Sequence, residues 1–225
     1  MKRLVIDIET IACQQPGILE EIRATVTPPG NISKPETIAK WIQENADKAA
    51  NDEFRKTSFN GAKGEICCIG WAVDDEPVQS LCRGVGESEE SLLLHFFALT
   101  GGYDYQIIGH NSIAFDIRFL YQRCVINSVQ PTFNIRQEER YNGRKVFDTM
   151  TYFAGWGNRI SLANLCAALG IQVKTGDITG ATVYDAWLAG RISEIADCCR
   201  EDVTATREVY KRLTFGEDLW PEERR

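Results

Sequence analysis

The chain has 225 residues, 32 acidic against 25 basic, for a formal charge of −7; 44% of its residues are apolar and 25% charged. Those proportions are ordinary for a globular domain and exclude a collagenous, coiled-coil or disordered chain. The acidic balance also excludes a sequence-wide basic field, so any contact with a polyanion must be local. The longest apolar stretch, around Ile66 to Val73, is far short of the roughly 18 residues of a membrane span. The N-terminus reaches Asp7 before any apolar run long enough for a secretion signal, so a soluble, cytoplasmic protein is expected.

In chain order, Leu4-Val5-Ile6-Asp7-Ile8-Glu9 reads as a buried strand whose C-terminal end carries acids. A second strand, 66–73, and a third, 78–82, flank the turn Asp74-Asp75-Glu76-Pro77 and form a hairpin. Between the first two strands, residues 12–63 are too many for a turn; Pro35-Glu36 opens a helix there through about Ala50 or beyond. The reading is one domain, 1–225, with a helical insertion at about 12–63, a candidate for substrate or partner contact. A helix follows from Ser88, its N-cap, to Gly101-Gly102.

Gln106 to His110 is the next strand, and Ala114 to Val125 has apolar residues at helical spacing. Val146-Phe147-Asp148 is a last short strand, and helices are expected at 161–169, about 181–189 and 192–213. A meander followed by strand-helix alternation gives an α/β fold, a mixed sheet covered by helices. The eight cysteines form no CxxC, and neither histidine stands at zinc-ligand spacing from a pair of them. Several lie in apolar runs and read as reduced, buried small hydrophobes.

Asp7 and Glu9, two apart on a strand, point to one face and repel. Because they end an apolar strand, a solvated surface explains them poorly, and a divalent cation with oxygen ligands explains them better. Asp116, in a helix's first turn, and Asp202, on a late helix, each have an ordinary explanation taken singly. The ordered set of acids does not.

Asp7-Ile8-Glu9-Thr10, then Asn111-Ser112-Ile113-Ala114-Phe115-Asp116 with Phe119-Leu120, then Arg200-Glu201-Asp202-Val203 resemble the three motifs of the DEDD superfamily of 3'-5' exonucleases. The nearest resemblance is to the branch related to the proofreading domain of family-B DNA polymerases. It runs from Leu4 to about Leu213. It implies a ribonuclease-H-like fold with a five-stranded mixed sheet, and two Mg²⁺ or Mn²⁺ ions held by Asp7, Glu9, Asp116 and Asp202. Such a pair activates water and stabilises a leaving 3'-oxygen, and it reconciles an acidic protein with a nucleic-acid substrate. The resemblance also implies that Thr10, Ile11, Asn111 and Phe115 line the pocket of the 3'-terminal nucleotide.

One position departs from that pattern. Where tyrosine-type members carry a tyrosine four residues before the last acid this chain has Cys198, and where histidine-type members carry a histidine five before it this chain has Asp197. A thiol, with an ordinary pKa of about 8.5, replaces a phenol poorly, so weakened catalysis is expected, with Asp197 or a group from elsewhere as a substitute. The basic strips Arg136, Arg140, Arg144, Lys145 and Arg55, Lys56, Lys63 are candidates for guiding phosphates, and Lys174 and Asp177 stay undecided. The leading expectation is a metal-dependent exonuclease releasing mononucleotides from DNA 3' ends, single strands preferred, with any proofreading or repair exercised in trans. RNA 3'-end trimming and a catalytically silent nucleic-acid-binding or regulatory module are the alternatives; oligomeric state is left open.

Overall fold

The computed structural model describes residues 1–135, 144–172 and 176–216. Arg136, Arg140 and Lys174 of the sequence-predicted basic positions lie outside the described residues. A five-stranded sheet runs in the order β3-β2-β1-β4-β5, with β1 (Lys2–Ile11) at its centre. β2 (Glu65–Val73) and β3 (Gln79–Cys82) continue it antiparallel on one side. β4 (Tyr105–Gly109) and β5 (Val146–Asp148) continue it parallel on the other.

Alternation along β1 sends successive side chains to opposite faces. Leu4, Ile6 and Ile8 enter the largest apolar cluster, with Leu93, Phe96 and Phe97 of α3 (Glu89–Thr100) and Ile117 and Leu120 of α4 (Asp116–Ile126). Val5 on the other face packs with Val203 and Tyr210 of the last helix, here α8 (Ile192–Leu213), and Ile11 clusters with its Cys199. Each buried Leu, Ile or Phe contributes about 1.5–3 kcal/mol, so the strand is clamped from both sides. Asp7 and Glu9 therefore lie on the α8 side, between two apolar anchors.

Two local features set how closely α8 and β2 approach. Gly70 lies opposite Asp7 in the β1/β2 ladder, and a Cβ there would stand 2.8 Å from Cys199 Sγ and 3.1 Å from the Cys199 carbonyl oxygen. Only glycine admits the helix at this distance. The ladder then slips between Glu9 and Thr10, so that Glu9 faces Cys68 and Thr10 faces Ile66, leaving Cys67 as the extra residue of a bulge.

The expected insertion between β1 and β2 contains α2 (Pro35–Lys56), with proline in its first turn, and also an unexpected helix, α1 (Ile18–Thr25). A 3-10 turn at Thr57–Phe59 returns the chain, with Thr57 Oγ1 accepting the Cys13 amide at 2.8 Å. The C-terminal end of α2 meets α7 (Val183–Leu188): Arg55 forms a two-pronged ion pair with Asp185 at 2.6 and 3.0 Å, and Phe54 meets Tyr184 edge-on. A short α5 (Thr149–Ala154) was also not expected, whereas α6 (Leu162–Leu169) starts where its Ser161 cap places it.

The cysteine reading needs correction. Cys68 and Cys82 form a disulfide, because β2 and β3 set them directly opposite with Cα atoms 4.0 Å apart, a register that spacing in the sequence does not reveal. The other six are free, and all but Cys198 are buried, as expected. The basic strips are corrected in part: Arg55 is held by Asp185, Lys56 by Glu53 at 2.6 Å and Lys145 by Asp104 at 2.8 Å, so these charges are already partnered. Among the described residues no helix is long and apolar enough to cross a membrane.

Candidate active site

The β1/β4 ladder ends at Val5 opposite Ile108, which opens the edge of β1 beyond that point. Asp116, at the start of α4, fills the opening: its Oδ1 accepts the Ile8 amide at 3.1 Å. α8 brings Asp202 to the same place, because Cys199 and Val203 fit against Gly70. Cys198 and Asp202, four apart on a helix, share a face. The ligand atoms of Glu9, Cys198 and Asp202 all lie within 4.8 Å of one another. Asp7 joins the group through Cys199, whose thiol donates to its carboxylate at 3.5 Å.

These acids resist ionisation. Burial first, and then the charges of Asp116, Glu9 and Asp202, push the Asp7 carboxyl well above its ordinary range. Burial, then Asp202 and Asp116, raises Glu9 to about 8. Asp116 is raised to about 7 by burial, although it accepts backbone N–H bonds, and Asp202 to about 6 by burial and Glu201. Cys198 is pushed up to about 12 by burial and then by Glu9, Asp202 and Asp7. Among the described residues no lysine or arginine forms an ion pair with any of the four acids. A clustered set of hard oxygen donors that lacks a protein counter-charge fits divalent cations.

The remaining candidates divide. Asn111 adopts a left-handed backbone, φ +61°, and its amide donates to Asp148 Oδ1 at 3.1 Å; Phe115 is half-buried where α4 begins and meets Phe119 at 5.5 Å between ring centroids. Both stand on the loop leading into Asp116. Thr10 is less open than expected, since its hydroxyl donates to the Ser58 carbonyl at 2.8 Å. Ile11 has no exposed surface and belongs to the cluster with Val183 and Trp187, so core packing replaces the substrate contact expected of it. Asp197 is exposed and paired with Arg200, and Asp177 pairs with Arg191 at 2.9 Å.

Sequence reasoning missed Asp148. Buried at the end of β5, it accepts the amides of Asn111 and Ile113 at 3.1 and 3.0 Å and caps α5 through Met150 and Thr151. An aspartate at a strand end, followed by Thr149, was a legible N-cap signal. It also missed Cys199, which looks like one more apolar position of a helix and in fact supports Asp7.

The model of a family described as predicted 3'-5' exonucleases related to the exonuclease domain of PolB matches residues 52–223. The matched part contains Asp116, Cys198 and Asp202; Asp7 and Glu9 precede it. No curated protein matches the chain. Among solved structures, the family B DNA polymerase from the hyperthermophilic archaeon Pyrobaculum calidifontis superposes with a TM-score of 0.60 at 15% identity, over 96% of this chain and 24% of the polymerase. The chain thus spans about a quarter of that protein's length. The likeness bears out the expected α/β, ribonuclease-H-like sheet flanked by helices.

Proposed function

Since the chain belongs to the family of predicted 3'-5' exonucleases related to the exonuclease domain of PolB, we propose that it releases mononucleotides from DNA 3' ends in a metal-dependent reaction, single strands preferred. The observation that carries this reading is the convergence of four acids whose burial opposes their charge and which, among the described residues, pair with no lysine or arginine. Asp7, Glu9, Asp116 and Asp202 are the residues that would hold Mg²⁺ or Mn²⁺. Divalent cations bound there supply an activated water and charge stabilisation for the leaving 3'-oxygen.

The chain's own groups do the rest. Asp116 fixes the open edge of β1 and so holds Asp7 and Glu9 in register with it. Asp148 clamps the loop of Asn111, which sets Phe115 at the mouth of the site as an apolar face for a terminal base. α5, capped by the same carboxylate, carries the exposed rings of Tyr152 and Phe153, with Trp156 just beyond, on which unpaired bases can stack. Without a cation beside it Cys198 keeps its proton at neutral pH, and a thiol there replaces the phenol's role toward water poorly, so catalysis is weakened.

A 5'-labelled single-stranded DNA and the matching RNA, incubated in Mg²⁺ or Mn²⁺, test the reading. A 3'-shortening ladder on DNA that disappears in Asp7→Asn and strengthens in Cys198→Tyr supports it; a ladder on RNA alone transfers it to RNA trimming. Cys198 also favours a second reading, a silent module that binds 3' ends. An inert protein whose Cys198→Tyr variant is inert as well, with 3' ends still bound, would establish that one instead.

A further inference from the structure

Glu9 on β1 and Cys198 and Asp202 on α8 place two carboxylate oxygens and a sulfur within 4.8 Å of one another. The Cys198 thiol lies 3.5 Å from the Ile178 carbonyl and also donates a hydrogen bond to the Glu9 carboxylate. Three protein ligands from two rigid elements is the donor number of a catalytic zinc site. Mg²⁺ demands oxygen ligands in near-ideal octahedral order, whereas a sulfur donor selects softer first-row cations.

We propose that Cys198 is a metal ligand, and that with Glu9 and Asp202 it makes one cation position of this site select a thiophilic divalent ion, Zn²⁺ or Co²⁺, over Mg²⁺. The inference rests on the exonuclease reading only for the presence of a cation among these acids. On binding, the Sγ–H bond breaks, a sulfur–metal bond forms, and the proton leaves to water. The ligand set also makes sense of the substitution: Cys198 lost the phenol's role toward water and took a place on the cation.

Titration of the full chain with Co²⁺ reads the contact directly, because only a thiolate ligand produces the near-ultraviolet sulfur-to-cobalt charge-transfer band. The expected result is a band that saturates at one equivalent, resists excess Mg²⁺, and is lost in Cys198→Ser, whose Zn²⁺ affinity falls by at least about 10-fold. Zinc X-ray absorption supplies a second measurement: a sulfur shell at about 2.3 Å in the native chain and only oxygen in Cys198→Ser. Glu9→Gln, which leaves the sulfur in place, should weaken Co²⁺ binding without abolishing the band at high Co²⁺. Absence of the band, or a band and sulfur shell that survive in Cys198→Ser, overturns the proposal. Nuclease turnover is scored separately. A Mg²⁺-supported ladder without the band sinks the ligand and spares the exonuclease, while the band without a ladder on any substrate does the reverse.

Discussion

At Glu89, buried to 5% exposure, the carboxylate meets the Arg123 guanidinium at 2.6 Å, the Ile66 amide at 2.7 Å and the Asn127 amide at 2.8 Å. At Glu9 and Asp116, 8% and 4% exposed, no guanidinium or ammonium among the described residues forms an ion pair, and their polar neighbours are thiols, single backbone amides and other acids. The first acid ties α3, α4 and β2 together with a charge the chain supplies itself. The second group is left with its charge uncompensated by the fold. A buried carboxylate without its own cation is a cost to stability, and it persists where something outside the chain removes that cost.

The sharpest way to separate the two is to neutralise an acid in each. Asp7→Asn removes a proposed metal ligand and a source of repulsion at once. Exonuclease turnover is expected to fall by at least about 10²-fold, while the metal-free protein melts higher than the native one. A labelled-strand assay and a thermal melt in chelator check the pair of outcomes; a variant that loses activity and stability together would make Asp7 a structural acid like Glu89. Glu89→Ala should do the opposite. It strands the buried Arg123 and destabilises by about 3–5 kcal/mol, lowering the melting temperature by about 10 °C, with turnover per folded molecule kept.

The contrast also has a pH dependence. Unfolded, the site acids titrate near pH 4; folded, Glu9 titrates at about 8, Asp116 at about 7 and Asp202 at about 6. The folded chain therefore holds protons that the unfolded chain has released, and these groups subtract stability progressively as pH rises from about 4 to about 8. Melting in chelator is expected to drop on the order of 5–10 °C between pH 5 and pH 8, and saturating Mn²⁺ to recover most of that loss at pH 8. A metal-free melting temperature that does not fall over this range would mean that the acids are not desolvated as the fold implies.

What the sequence made legible follows the same division. Asp7 and Glu9 stood out because they end an apolar strand, and Asp116 and Asp202, each ordinary taken singly, stood out as members of an ordered set that resembles the exonuclease motifs. Glu89 did not stand out, since an acid in a first helical turn has a local explanation and its true partner, Arg123, lies 34 residues away. The Cys68–Cys82 bond, the bulge at Cys67 and the support of Asp7 by Cys199 depend on strand register and helix approach, which no local spacing encodes. The short helix α5 escapes because its Asp148 cap, rather than period, makes it.

Helix approach offers a milder test. Gly70→Ala puts a methyl against Cys199 from the sheet side, and the carbonyl at 3.1 Å belongs to backbone that yields only if α8 moves. A loss of about 1–3 kcal/mol is expected, together with lower turnover, because Asp202 rides on the displaced helix. Chemical denaturation and the strand assay measure both; unchanged activity would show that the acids tolerate a shift of α8.

The smallest effect belongs to the contact between the insertion and α7. Arg55 and Asp185 are both about half exposed, so their ion pair is screened and is worth about 0–1 kcal/mol despite its two-pronged geometry. Arg55→Ala should therefore barely move the melting temperature. Yet α2 reaches the C-terminal end of β1 through the turn whose Ser58 carbonyl holds Thr10, one residue beyond Glu9. If the insertion contributes to substrate contact, loosening its outer tie raises KM for single-stranded DNA severalfold with kcat unchanged, an effect much larger than its stability cost. If KM and melting temperature both stay put, α1 and α2 are a spacer at this end of the molecule, and substrate recognition lies with the loop of Asn111 and the rings of α5.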